Sequence, residues 1–467
     1  MSSSSTKAGD QVCLKLLIHR EKKIVLFAEA GKDFVDALFS FLTLPLGDIV
    51  RLAGEESNIP AVRVGCLTTL YESVAKLDKE CLRNEICKEM LLHPRNMPLE
   101  LYRRKLKLNV NGSETFKYFS STRPGCSCLS AFKNENCYCG ISNFANMFVR
   151  GFDGKFDNGF VKETDFIIRN DLYVMPNAIE NTLALLQNHG VQNINSVLEQ
   201  TVIVSKNELL DLLKCSLLSK TPLTDVFLLK KRAFPDFHQW YPALPELDIG
   251  KLPNDSAMNM NLKLIVSKSS KKIVLVQGEE DFANFVLSFL TYPLIGMLNI
   301  LHRSPSSSCL EQLYKSVQLL LGEEKYFTSH NLLYYLVHPP CTHMLYSQEG
   351  IFHATYLASR FYDSFYYKFT EPEASIYHNV KIAFKGFVEG PHKFIVTDDL
   401  VVSKMFSSFC LSYFNGADVS AISDLEQRTV RIGLKEGFSI LQASLFSQSA
   451  LTNGLRHLLQ TTIKQEK

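Results

Sequence analysis

Across 467 residues the chain is 46% hydrophobic and 21% charged. That is the balance of a folded protein rather than a disordered one, and the length suits more than one core. Fifty lysines and arginines stand against 48 aspartates and glutamates, a formal charge of +2, which gives no electrostatic reason for an obligatory nucleic-acid or anionic-membrane partner. The most apolar segment, Ala37 to Val50, is short and broken by Pro45, Gly47 and Asp48, so the sequence offers no membrane span.

Residues 1–11 are polar and Ser-rich without an apolar run, the composition of a frayed, disordered tail and not of a secretory signal. A cytoplasmic protein, with access to the nucleus, is the expectation, and the 12 cysteines then read as thiols.

Cys13 to Ile18 and Lys23 to Ala28 are apolar and β-branched about a polar His19-Arg20-Glu21-Lys22, the pattern of a β-hairpin. Asp33 is the expected N-cap of a helix whose Phe34, Leu38, Phe41 and Leu42 share one face and which Pro45 ends or kinks. A second helix is expected over Leu67 to Leu77. Further on, Phe166 to Val174 reads as two short strands about an Asn-Asp turn, followed by a helix (Ile179 to Gln187), a strand (Gln200 to Val204) and a last helix (Lys206 to Leu218).

The whole series then repeats. Leu14-Lys15-Leu16-Leu17-Ile18 returns as Leu262-Lys263-Leu264-Ile265-Val266. Ser40-Phe-Leu-Thr-Leu-Pro-Leu46 returns as Ser288-Phe-Leu-Thr-Tyr-Pro-Leu294, different only at Leu44/Tyr292. Cys66-Leu67, Leu70-Tyr71 and Ser73-Val74 return as Cys309-Leu310, Leu313-Tyr314 and Ser316-Val317; Asp171-Leu172 as Asp399-Leu400; Leu198-Glu199-Gln200 as Leu425-Glu426-Gln427. Collinear blocks of this kind mark an internal duplication. Aligning Lys23-Ile-Val-Leu26 with Lys272-Ile-Val-Leu275 places one extra residue in the second hairpin turn.

The fold class expected is α+β, two homologous modules, each a mixed sheet with β-hairpins and packed helices. The first module spans 12–229 and the second 259–460, with a proline- and aromatic-rich linker, 230–258, that is too apolar to hang free and should lie against one module. About twenty residues of the first copy are missing from the second, across a cysteine-rich stretch at 124–140, so that stretch is an excursion the fold does not require.

Ala28 to Gly47 and Leu91-Leu-His-Pro-Arg-Asn96 resemble a plant-restricted family known as domain of unknown function 674, and Val396 to Val402 with Ile432 to Gly437 look like its carboxyl-terminal blocks. The resemblance covers nearly the whole chain. It implies a plant protein with no established activity, and it carries over no catalytic residue. Its members tend to carry a Cys-x-Cys-Gly-Lys segment; here Cys137-Tyr-Cys139-Gly140 fits and Ile141 replaces the lysine.

The sharpest chemical signal is Cys126-x-Cys128 followed by Cys137-x-Cys139. Two closely spaced thiolate pairs could close a tetrahedral structural zinc site; reduced loop cysteines and redox thiols are the alternatives. His93/His338 recur, but His-Pro after an apolar run marks a helix end. Asp171/Asp399 recur, and aspartate in such dipeptides is a turn former. The run Phe361 to Phe369 reads as strand core and face, and Lys230-Lys231-Arg232 as solvated charge. Phosphate-loop, dinucleotide, zinc-protease and nucleophile-elbow motifs are all missing.

Three functions follow. A non-enzymatic interaction or scaffold protein with a structural zinc loop and another protein as partner comes first. The alternative is an enzyme or small-molecule binder with its site between the modules. A third is nucleic-acid binding through the cysteine loop with Arg103, Arg104, Lys105, Lys107 and Arg123.

Overall fold

Val12, Leu14, Leu16 and Ile18 alternate with more exposed residues, so one face of β1 (Val12–His19) turns into the core, and β2 (Ile24–Ala30) returns beside it. The protein is seen here in a computed structural model that describes residues 11–95, 103, 106–111, 118–121, 129–130, 144–148, 159–230, 260–301, 308–328, 336, 386–406, 413–414 and 422–460.

Three short strands in the first copy, β3 (Tyr118–Ser121), β4 (Leu129–Ser130) and β5 (Phe144–Phe148), form a small sheet of their own, β4-β3-β5. The hairpin gains β6 (Phe166–Arg169) and β7 (Val174–Pro176) on one side and β8 (Val197–Val204) on the other, giving a five-stranded sheet ordered β7-β6-β2-β1-β8. The second copy repeats it with β9 (Met260–Ser267), β10 (Ile273–Gly278), β11 (Phe394–Thr397), β12 (Val402–Lys404) and β13 (Leu425–Ile432), ordered β12-β11-β10-β9-β13. The class is α+β, as expected. Every described strand pair is antiparallel, so the sheets are not mixed: β7 and β12 follow β6 and β11 through tight turns, whereas β6, β8, β11 and β13 arrive by long connections.

The hairpin turns are equally long in both copies. Ile18 faces Val25 and Val266 faces Ile273, with a register irregularity in each. The extra residue suggested by the Lys-Ile-Val-Leu match is therefore not there: that match is one residue out of step with the strands, because strand register and not residue identity sets the equivalence.

Helix α1 (Lys32–Leu42) has Gly31 as its N-cap without a side-chain bond, and Asp33 sits in its first turn. Asp33 is therefore not the cap; its charge meets the helix dipole from inside the first turn. Pro45 separates α1 from α2 (Leu46–Ala53). At this point the copies meet. Pro45 bridges Pro293, Leu46 N–H donates to Tyr292 O (2.8 Å), and Leu294 N–H donates to Leu44 O (2.9 Å). The seven-residue block that is nearly identical between copies is thus the block that packs on its own counterpart, where one sequence must satisfy both sides of a reciprocal contact.

Past the crossing, each copy lends helices to the other. Helix α3 (Gly65–Lys76) lies on the second copy: Cys66 Sγ–H donates to Ser447 O (3.0 Å), and Ser73 Oγ donates to Val402 O (3.0 Å) and accepts from Val402 N–H (2.9 Å). Helix α4 (Glu85–Leu92) follows α3, and just before it Leu82 bridges Val388. The first copy then contributes α5 (Ile179–Asn188) and α6 (Lys206–Leu218), the second α7 (Glu280–Ser288) and α8 (Leu294–Leu301). Helix α9 (Cys309–Leu321) returns the exchange on the first copy: Cys309 Sγ–H donates to Ser219 O (3.0 Å), and Val174 N–H donates to Ser316 Oγ (2.7 Å). Val161 likewise bridges Phe327.

Both serines cap the outermost strand of the opposite copy's sheet, an edge whose unpaired groups would otherwise invite pairing. A continuous apolar core runs through both copies, and a smaller cluster of Leu26, Phe27, Ile167 and Leu185 lies under α5. No helix among the described residues is long and apolar enough to cross a membrane.

Candidate functional site

Exchange of the helices creates a groove where β7 and the start of α5 face the end of α9. Its volume is about 460 Å³, within the range of small-molecule sites. Tyr173, Met175, Pro176, Leu319, Leu320 and Tyr326 supply its apolar surface. At its rim Lys325 Nζ lies 2.6 Å from Glu323 and 4.9 Å above the Tyr326 ring. The hydrogen bond that Lys325 donates to Glu323 is the main cause that raises the lysine's pKa. Asn181 Nδ2 donates to Pro176 O (2.9 Å), so this polar group too is engaged within the wall. None of the lining residues is a serine, cysteine or histidine, which leaves the groove without the usual nucleophile-and-base pair.

The polar residues that recur between the copies do other work. Asp36 Oδ1 accepts from Phe160 N–H (2.7 Å) and Val161 N–H (2.9 Å); at the same place in the second copy Asn284 Oδ1 accepts from Phe387 N–H (2.7 Å) and Val388 N–H (3.1 Å). Burial pushes the Asp36 carboxyl up to about 6, against the pull of Lys32. Gly159 and Gly386 precede these N–H pairs with φ of +83° and +93°, and a Cβ at either would collide with the Asp36 or Asn284 side chain.

A second constellation exchanges the same two residue types. Asn170 Oδ1 accepts from Thr224 N–H (3.0 Å), and Thr224 Oγ1 accepts from Val25 N–H (2.9 Å). In the second copy Asp398 Oδ1 accepts from Thr452 N–H (2.7 Å), and Thr452 Oγ1 accepts from Ile273 N–H (2.8 Å). Here the threonine occupies the N–H left over at the hairpin irregularity. Burial lifts the Asp398 carboxyl to about 6. A carboxylate oxygen and an amide oxygen serve equally where the duty is to accept from the backbone.

Two charged clusters belong to the first copy. Asp48, with Arg51 Nη2 3.3 Å away and Asn111 Nδ2 donating to it (3.1 Å), has its pKa raised by burial and is drawn down in part by Arg51 and Arg103. Lys214 Nζ donates to Ser57 Oγ (2.8 Å) and Ile59 O (2.8 Å), while Asp211 Oδ1 accepts from Ser57 Oγ (2.6 Å) and Ile59 N–H (3.1 Å). Both clusters pin loops: the second fixes the connection from α2 to α3 that carries the chain across to the other copy.

A family model described as "Protein of unknown function (DUF674)" matches residues 8–433 and again 381–466. The chain belongs to that family. No curated protein and no solved structure matches it.

Within this DUF674 chain the residues singled out by sequence fall in different places. Cys126, Cys128, Cys137 and Cys139 lie outside the described residues, as do His338, Arg104, Lys105, Arg123, Lys231, Arg232, the 361–369 run and the linker beyond Lys230. His93 is exposed and caps the end of α4, the helix-end role. Asp171 takes Arg169 (2.7 Å) and Tyr173 N–H (3.3 Å), and Asp399 takes Thr397 Oγ1 (2.6 Å); both sit in turns whose next residue, Leu172 or Leu400, has positive φ. Arg103 is buried at 2% exposure, and Lys107 lies 3.4 Å from Asp33. Arg103 therefore cannot serve as the phosphate contact the nucleic-acid reading assigned to it.

Sequence reasoning missed the Thr224/Thr452 clasp and the partners of Cys66/Cys309 and Ser73/Ser316. For the last two a signal existed: polar residues preserved between copies on otherwise apolar helix faces.

Proposed function

We propose that this DUF674 chain is a non-enzymatic interaction protein whose duplicated body carries a cysteine-bearing insert stiffened by a structural zinc. One observation carries the reading: the recurring polar side chains at 36/284, 170/398, 73/316 and 224/452 are engaged by backbone groups, so the duplicated chemistry serves architecture. The cysteine-bearing stretch of the first copy, longer by sequence than its counterpart, is interleaved with the sheet β4-β3-β5. Ser121 at the end of β3 pairs with Phe144 at the start of β5, and Ser120 pairs with Leu129 at the start of β4. Cys126 and Cys128 fall in sequence between β3 and β4, and Cys137 and Cys139 between β4 and β5. The β3–β4 connection starts and finishes at the end of the sheet where the β4–β5 connection finishes, which supports a shared four-thiolate site. Such a site is closed, so the metal would be structural and not catalytic.

The test is zinc per chain by plasma mass spectrometry on protein purified from zinc-supplied cells, beside a Cys137→Ser, Cys139→Ser variant. Near-stoichiometric zinc that the variant loses is the expected result. Partner capture by the whole chain and by a chain with 112–158 replaced by a short flexible linker then tests the interaction role. A metal-free wild type would remove the zinc, and an identical set of captured proteins would remove the insert's role.

The volume of the groove between the copies favours a second reading, a small-molecule binder. It ranks second because Lys325, Glu323 and Asn181 are engaged within the wall. A ligand whose thermal stabilisation disappears in Leu319→Arg would move it to first place.

A further inference from the structure

The two main sheets have four edges. Ser316 occupies the outer edge of β7 and Ser73 that of β12. At the opposite ends lie β8 and β13, both eight residues long, and no described strand pairs with their outer sides.

These two edges differ in chemistry. Register against β1 and β9, and not the Leu-Glu-Gln match, which is one residue out of step, makes Glu426, Arg428 and Arg431 of β13 the equivalents of Leu198, Gln200 and Ile203. Arg428 is held by Glu426 and donates from Nη1 to Leu459 O (3.2 Å). Charged residues along an edge are a recognised guard against further pairing. The first copy lacks them: β8 carries a single charge, Glu199, and exposes Leu198 (39%) and Ile203 (59%), one on each face.

Backbone polarity points the same way. Arg20 N–H donates to Ser196 O (2.9 Å), and β1 pairs with β8 in continuous register from that point. Pairs two apart repeat the bonding, so Leu198, Gln200, Val202 and Val204 face β1, while Glu199, Thr201 and Ile203 direct N–H and C=O outward.

The strand is also self-complementary. Read outward from Gln200, its neighbours Glu199 and Thr201 are both polar, then Leu198 and Val202 are both apolar, then Val197 and Ile203 are both apolar. Antiparallel pairing of two β8 strands about Gln200 sets Leu198 opposite Val202 and Val197 opposite Ile203, apolar against apolar on the same face. It brings no charge opposite its own copy, because Glu199 meets Thr201. Equivalent self-pairing of β13 would set Arg428 against Arg428 and Leu425 against Arg431.

We infer that β8 is a homodimer interface: a second copy of this chain adds its own β8 antiparallel about Gln200, joining two five-stranded sheets into one across a two-fold axis. Glu199 and Thr201 then exchange backbone bonds, and Ile203 N–H reaches Val197 O of the other copy. Such an interface is isologous and closed, and it uses neither the groove nor the cysteine insert, so it stands or falls apart from the function proposed above.

The test uses the whole chain. Sedimentation equilibrium over a hundredfold range of concentration is run on wild type and on Gln200→Arg, which gives β8 the residue β13 has at that place and sets two cations face to face across the axis. The wild type is expected to dimerise and the variant to dimerise at least tenfold more weakly, with an unchanged melting temperature after dilution to monomer. Hydrogen exchange should protect the Glu199 and Thr201 amides in the dimer and release them in the variant. A wild type that stays monomeric throughout overturns the inference, and so does a dimer that Gln200→Arg leaves intact. Equal exchange at Glu199 and Thr201 in monomer and dimer would place the contact elsewhere and overturn it as well.

Discussion

Replacing Asp36 by asparagine should make the protein more stable at neutral pH and leave it unchanged in acid. In the fold the Asp36 carboxyl is raised from 3.8 to about 6, chiefly by burial and despite Lys32 beside it. A lift of that size means that ionising Asp36 costs the native state roughly 3 kcal/mol more than it costs the unfolded chain. Well below the unfolded value of 3.8 the group is neutral in both states and the cost is nil; it accrues as pH rises through the interval from 3.8 to about 6 and is complete above that interval. Asparagine is neutral throughout, and Asn284 already performs the same duty for Phe387 and Val388. The melting temperatures of Asp36→Asn and wild type should therefore converge at about pH 3 and separate by about 3–6 °C at pH 7.5, the variant being higher. A difference that does not change with pH would refute the reasoning. A wild type that gains on the variant as pH rises would show that the Lys32 ion pair outweighs burial.

Ser73→Ala and Ser316→Ala each strip a buried strand N–H of its acceptor and should cost about 1–3 kcal/mol; they cap different sheets, so the double variant should show the sum in denaturant midpoints. Gly159→Ala forces a side chain into a backbone at φ +83° and against Asp36; a loss of at least about 2 kcal/mol is expected, read as a lowered melting temperature. Cutting at an engineered protease site within 231–258 should leave both fragments in a single peak near 52.9 kDa on size exclusion, or twice that if the dimer forms, because α3 and α9 are exchanged. Separation of the fragments without denaturant would contradict the exchange.

Much of the local structure was legible. Helix α6 begins and ends at Lys206 and Leu218 as the periodicity requires, and α3 lies within two residues of its expected span. A capping serine and an apolar stripe are local properties, and Ser205 with Glu208 forms the capping box that fixes the start of α6. The exchange was not legible: periodicity says which face of α3 is buried, but the same stripe would serve against either copy. The buried Asp36 was hidden for a related reason, since its counterpart is asparagine and the repeat preserves oxygen geometry rather than residue identity. His93, Asp171 and Asp399 do sit at a helix end and in turns, where backbone propensity alone puts them.

The crossing at Pro45 and Pro293 also bears on how the chain is made. Helix α3 leaves the ribosome hundreds of residues before β12, whose edge Ser73 must cap across a separation of 329 positions. The first sheet is complete in sequence by Val204, yet its β7 edge waits for Ser316, 142 positions after Val174. Throughout that interval the nascent first half presents an uncapped strand and the apolar faces of α1 and α3. Closure of loops this long is entropically slow, and unpaired edges of this kind are what make folding intermediates sticky. The half made first therefore spends much of synthesis as the one most in need of protection.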